Sequence, residues 1–259
     1  MYSQLQLREI FHIEFLRSFS REIPASFYAL KGGVNLRLFF KSFRYSEDMD
    51  LDVEGLPVAS LQKKVLRVLQ SRAFLENLKT FGIAELKLPD MQKAKQTETT
   101  QRFKLHLITS AGEDYFTKVE FSRRGIGPGA EPGAAAGTIL RAYNMAPLII
   151  PHYNANAAAL QKVGAVLARS ALQARDVFDL FLLSSQYSSA AGGAAERFSA
   201  ADLKKAKENI FSIDFTQFSG MVLAFLSPED RLVYDSPRAW DEVRIKAAEF
   251  IAELEKDNG

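Results

Sequence analysis

Residues 48–53 read Asp-Met-Asp-Leu-Asp-Val, and this alternation constrains the fold more than any other part of the chain. In an extended strand, successive side chains point to opposite faces. Asp48 and Asp50 therefore share one face, with Asp52 further along, while Met49, Leu51 and Val53 point the other way into a core. Such a strand needs a sheet with one apolar and one charged face. Like charges on one strand face repel, so the arrangement costs stability unless something neutralises it. A divalent cation does so, because carboxylates roughly 6.6 Å apart along a strand can bracket two ions about 3.5–4 Å apart. Mg²⁺ suits such a pair, since it takes a few carboxylates and completes its shell with water and substrate phosphates. Mn²⁺ is the alternative. An acidic surface strand has the same spelling, so Asp-x-Asp alone does not decide between the two readings.

The residues upstream narrow the choice. Phe27–Leu30 reads as a strand, Lys31-Gly32-Gly33 as a turn, and residues 34–42 as a helix that begins at that turn. Free N–H groups at a helix start, reinforced by the helix dipole, favour phosphate oxygens at Gly32 and Gly33. A lone Gly-Gly is only a tight turn. A Gly-Gly turn, one helix and then a strand of paired acids is a more specific combination.

The opening stretch carries Leu5, Ile10, Phe11, Phe15 and Leu16 at helical spacing, and Pro24 ends it. A helix is expected over 59–80, then strands over Ile83–Leu88, Phe103–Ile108 and Tyr115–Phe121, the last two joined by a hairpin loop. Gly125–Gly137 is rich in Gly, Pro and Ala without apolar period and reads as a flexible loop. Pro147 and Pro151 flank a short apolar run, and helices follow over 155–169, 172–187, 201–212, 215–226 and 237–256. A second soft segment spans Ser188–Ala195. The expected architecture is α/β over 1–150, a mixed β-sheet flanked by helices, followed by an all-helical half over 151–259 that closes over the cleft.

Composition excludes several classes. With no Cys, disulfide scaffolds and thiolate metal sites are ruled out. No run of 18 apolar residues exists to span a membrane. The amphipathic N-terminus carries acids, unlike a secretion signal, so a cytoplasmic protein is expected. A net charge of +2 does not announce a nucleic-acid binder, although Arg37, Lys41 and Arg44 cluster, as do Arg123 and Arg124. His12, His106 and His152 lack metal-ligand spacing and read as structural, with His152 the one to watch; Trp240 reads as a packing residue.

The stretch Lys31-Gly-Gly-Val-Asn-Leu-Arg, followed by Arg44-Tyr-Ser46-Glu-Asp48-Met-Asp50-Leu, resembles the AbiEii/AbiGii toxin family of the nucleotidyltransferase superfold. That family contains the toxins of bacterial abortive-infection and toxin–antitoxin pairs. Its usual pattern is close to Gly-Gly-Thr-Ala-Leu-Arg and Arg-Phe-Ser-x-Asp-Leu-Asp-Leu. Tyr115–Phe121 fits the strand on which the superfold carries a third carboxylate, here Glu120. Residues 159–169, with Lys162 and Arg169 on one helix face, and Arg175-Asp176-Val-Phe-Asp179-Leu fit the family's Lys helix and the helix after it. Val34 and Asn35 depart from the usual Thr and Ala, which removes a hydroxyl contact to phosphate from position 34.

The resemblance implies Mg²⁺-dependent transfer of a nucleotide from a nucleoside triphosphate to RNA, such as tRNA, or to a protein, with an antitoxin encoded beside the toxin. Asp48, Asp50 and Glu120 would hold metal, and Glu120 would complete the ion site or polarise the attacking hydroxyl. Gly32, Gly33, Ser46 and Lys162 would bind the triphosphate, with Arg169 and Asp179 beside them. Asp176 would orient Lys162 or Arg169, and Arg37, Lys41 and Arg44 would face RNA. Two other readings keep the fold but not the reaction: a non-catalytic nucleotide sensor, and a kinase-like phosphotransferase that moves the γ-phosphate.

Overall fold

The computed structural model describes residues 2–188 and 197–256, so residues 189–195 of the second soft segment lie outside the described residues. The chain divides into two compact units, the first comprising residues 1–41 and 45–153, the second residues 42–44 and 154–259. The expected boundary at 150 thus falls three residues early, because the last strand of the sheet runs through it.

The first unit is built on seven strands: β1 (Tyr28–Lys31), β2 (Asp48–Val53), β3 (Ile83–Lys87), β4 (Thr100–Thr109), β5 (Asp114–Ser122), β6 (Ala130–Ala134) and β7 (Ile149–Tyr153). They form one mixed sheet in the order β3-β4-β5-β2-β1-β7-β6. β2 runs antiparallel to β1 and parallel to β5, and that parallel register sets Asp48 beside Lys118 and Asp50 beside Glu120.

The apolar face of the sheet packs on α1 (Gln4–Glu22), which opens with a capping box between Ser3 and Gln6. Such a cap contributes about 1 kcal/mol. Phe11, Phe15 and Phe19 of this helix are fully buried, and Phe19 packs against Tyr28 and Phe121 at 5.1 and 5.4 Å between ring centres. Met49, Leu51 and Val119 complete this core, so the predicted inward side of β2 is the observed one. The expected single helix over 59–80 is two, α3 (Val58–Leu69) and α4 (Arg72–Thr80). Ser71 is extended and starts the second, which lets Leu69 and Phe74 both turn inward.

α2 (Gly32–Phe39) begins two residues earlier than expected, so both glycines lie in its first turn. The segment expected to be a loop contains β6 and ends on the first residue of the short α5 (Gly137–Ala142). β6 is an edge strand, where Pro is tolerated, and its Pro132 lies opposite Pro151 in the ladder with β7. A Cβ on Gly133 would come within 2.2 Å of His152 Nε2, so this glycine admits a ring against the backbone rather than supplying flexibility. His152 also stacks on Phe39 at 3.6 Å. Asn35, where the family usually has Ala, donates to the Tyr153 carbonyl at 2.9 Å and accepts from His152 Nδ1 at 3.0 Å. That departure locks α2 to β7.

The second unit is helical: α6 (Ala155–Ala168), α7 (Ala174–Ser184), α8 (Ala200–Ser212), α9 (Phe215–Met221), α10 (Pro228–Tyr234) and α11 (Pro237–Lys256). Sequence periodicity alone does not reveal the short α10, yet Ser227-Pro228-Glu229-Asp230 is a helix-start signature, with Ser227 accepting from the Asp230 N–H. Trp240 is a packing residue as expected, stacked on Phe218 at 4.4 Å with its indole N–H donated to the Ile213 carbonyl.

Candidate active site

The charged face of the sheet carries Asp48, Asp50 and Asp52 on β2, Lys118 and Glu120 on β5, Arg102 on β4 and Lys31 on β1. These acids are not alike. Asp52 is the deepest and is saturated, with Lys31 Nζ at 2.5 Å and the Tyr153 hydroxyl at 2.7 Å. Asp48 pairs with Lys118 Nζ at 2.9 Å through Oδ2, while its Oδ1 is buried with no hydrogen-bond partner. Glu120 receives Arg102 Nε at 2.6 Å and Lys118 Nζ at 3.7 Å. Asp50 enters none of these pairs. Burial pushes its carboxyl above the usual range; Lys118 and Lys31 oppose the shift, while Glu120 and Asp48 add to it.

Asp50 is also where the glycine bend meets the acids. Gly32 has φ of +69°, a left-handed conformation natural only to glycine, and a Cβ there would sit 2.9 Å from Asp50 Oδ2. The backbone at the start of α2 thus lies directly against the carboxylate. Ser46 donates to the Asp48 carbonyl at 2.7 Å, which fastens the turn that enters β2.

This donor set fits a hard divalent ion at Asp48 and Asp50. Both present carboxylate oxygens on one face, and the orphaned Asp48 Oδ1 is a buried acceptor that lacks a cation or donor. Glu120 could join only by giving up Arg102 and Lys118, and among the described residues no three His, Cys, Asp or Glu side chains converge as ligands. Lysine and arginine side chains therefore do part of the neutralisation for which a divalent cation is expected from the sequence.

In the helical unit, the predicted residues form one row of ion pairs, buried except at Arg169. Arg44 grips Asp179 through two bonds of 3.0 and 2.9 Å. Lys162 Nζ lies 2.7 Å from Asp179 and 2.8 Å from Asp176, and Arg169 Nε lies 2.8 Å from Asp176. Burial alone would lower the Lys162 pKa, but Asp176 and Asp179 outweigh it and hold the ammonium above its usual value. Burial would raise Asp176, but Lys162 and Arg169 outweigh it and hold the carboxyl below the usual range. Asp176 therefore does hold both Lys162 and Arg169. Lys162 itself already carries two ion pairs, whereas the Arg169 side chain is 42% exposed.

The three cations expected to face RNA differ in their surroundings. Arg44 is buried on Asp179, and Arg37 is paired with Glu9 at 2.6 Å and stacked on Tyr45 at 4.2 Å. Only Lys41 of that cluster is exposed. Arg123 is likewise engaged, donating to Gln101 and the Leu56 carbonyl. His12 and His152 are buried and hydrogen-bonded, and His106 pairs with Asp114 at the surface. Sequence reasoning missed Lys118, Arg102, Lys31 and Tyr153 as members of the site. Parity offered a signal for Lys118, which stands two residues before Glu120 on the same strand face.

A family model described as nucleotidyl transferase AbiEii toxin, type IV toxin–antitoxin system, matches residues 14–255. The chain belongs to this family. It is therefore one of the nucleotidyltransferase toxins of type IV systems, which implies a cognate antitoxin. Solved structures share the fold at low identity. JHP933 from Helicobacter pylori is 20% identical with a TM-score of 0.58, covering 96% of this chain and 94% of its own. MenT4, a nucleotidyltransferase toxin from Mycobacterium tuberculosis H37Rv, is 15% identical with a TM-score of 0.60, covering 98% and 87%. A second H. pylori protein, titled a putative nucleotidyltransferase, is 18% identical with a TM-score of 0.52, covering 95% and 94%. Among curated proteins no sequence matches significantly. No helix among the described residues is long and apolar enough to cross a membrane.

Proposed function

We propose that this AbiEii-family chain transfers a nucleotide from a nucleoside triphosphate to the end of an RNA, with tRNA the acceptor, in a reaction that depends on Mg²⁺ or Mn²⁺. The observation that carries the reading is the Asp48–Asp50 pair, one oxygen of which is buried without a partner, set against the Gly32 backbone. Bound divalent ions would neutralise the triphosphate and stabilise the attacking and departing oxygens. Asp48 and Asp50 would hold them, and Glu120 would serve as the third acid on leaving Arg102 and Lys118. The N–H groups of Gly32 and Gly33 at the start of α2 bind phosphate oxygens, helped by the helix dipole. Ser46 holds the turn that presents Asp48, and its hydroxyl reaches a phosphate oxygen only by turning its hydrogen away from the Asp48 carbonyl. In the helical unit, Asp176 and Asp179 fix where the positive charges of Lys162 and Arg169 stand. Lys41 is the RNA-facing cation.

The test is incorporation of label into total tRNA from each of the four α-labelled triphosphates with Mg²⁺. Asp48→Ala, Asp50→Ala should abolish it; equal labelling by that double variant would overturn the site. Label recovered in protein would redirect the acceptor. Transfer only of γ-label would make the chain a kinase-like phosphotransferase, and triphosphate binding without pyrophosphate release would make it a sensor.

A further inference from the structure

Lys118 occupies the position on this sheet face that most resembles a cation site. The parallel pairing of β2 and β5 makes it the register partner of Asp48, with Glu120 the partner of Asp50. Its ammonium lies 2.9 Å from Asp48 Oδ2 and 3.7 Å from Glu120 Oε2, between carboxylates of two neighbouring strands. The side chain is 21% exposed, so it can swing to solvent without unfolding the strand. Nothing in the core depends on it, since the residues flanking it that pack inward are Thr117 and Val119.

We infer that Lys118 is a resident counter-ion of the acidic face: it competes with the divalent ion for Asp48 and must leave that carboxylate before metal is held there. The inference rests on the reading that Asp48 and Asp50 bind metal. An ammonium and a divalent ion cannot both be in contact with one carboxylate oxygen pair without strong repulsion. Even at the dielectric of water, a unit charge and a double charge ~4 Å apart repel by an amount equal to about thirtyfold in affinity. Lys118 thus supports the metal-free fold, where it offsets the repulsion among acids, and weakens metal binding. The competition makes occupancy of the site depend on the triphosphate, whose oxygens bring further ligands for the ion and an alternative partner for the freed ammonium.

The experiment is direct Mn²⁺ binding, read by the loss of the free-ion spin-resonance signal, on the full chain without nucleotide. It compares the wild type, Lys118→Met, Lys118→Gln and Lys118→Arg, alongside thermal unfolding with and without Mn²⁺. Either neutral variant should bind Mn²⁺ about tenfold or more tightly, melt lower without metal and regain the difference with it. Lys118→Arg, which keeps the charge, should stay within about threefold of the wild type. Having two neutral variants guards against one that fails to fold. Unchanged or weaker Mn²⁺ binding in the folded neutral variants overturns the inference. Wild-type binding that survives Asp48→Asn, Asp50→Asn overturns the metal-site reading itself, a separate outcome.

Discussion

Replacing Asp179 tests whether the buried charge row is part of the fold. Its side chain is fully buried and accepts two bonds from Arg44 and an ion pair from Lys162. Removing the carboxylate takes both of these bonds from Arg44 and leaves Lys162 paired with Asp176, an acid that Arg169 already shares. Breaking one side of a buried pair costs about 3–5 kcal/mol. For a chain of this size, each kcal/mol is roughly 2–4 °C of melting temperature. Asp179→Leu should therefore melt about 6–20 °C lower, and Asp179→Asn toward the smaller end because its amide oxygen still accepts one bond. Adding Arg44→Met to Asp179→Leu should recover part of the loss, because the abandoned guanidinium goes with it; a coupling of about 1–3 kcal/mol is expected. Thermal and urea unfolding followed by circular dichroism at pH 7 measure both effects. A single variant that melts within about 1 °C of the wild type, or a double variant whose loss is the sum of the two singles, would refute this account. If labelling of tRNA were then lost without loss of stability, Asp179 would belong to the chemistry and not to the scaffold.

Two further outcomes are expected. His12 is buried and its pKa is lowered to about 3 by burial and then by Arg8, so the unfolded chain takes up a proton that the folded one refuses as pH falls from 6.5 toward 3. Stability should drop by about 2 kcal/mol between pH 7 and pH 5 from this group. Urea unfolding of His12→Gln should lack that slope, and an identical slope would assign the effect elsewhere. Gly32→Ala forces a side chain into a left-handed backbone and against Asp50, so it should cost about 1–2 kcal/mol and most of the labelling activity. A variant with wild-type labelling would detach the glycine bend from the site.

The residues themselves determined a good deal. The alternation in β2 is legible because strand geometry has a period of two, and burial of Met49 and Leu51 requires only that one face meet a core. Gly32, whose backbone angle excludes other residues, and the helix starts at Ser3 and Ser199 are local facts, set by neighbours in sequence. Tertiary structure alone decided how the charges pair. No spacing says that β5 lies parallel to β2 with Lys118 beside Asp48, because register is chosen by the whole sheet. Arg44 illustrates the same limit. It sits in a basic cluster that reads as a surface patch, yet Asp179, 135 residues away, takes it into the interior of the helical unit. The Gly-Pro-Ala stretch became an edge strand for a similar reason, since backbone pairing with β7 and the ring of His152 select it and neither is written in its own composition. Period, caps and turns are short-range and survive in the string of letters; the partner of a charge is long-range, and only the folded chain names it.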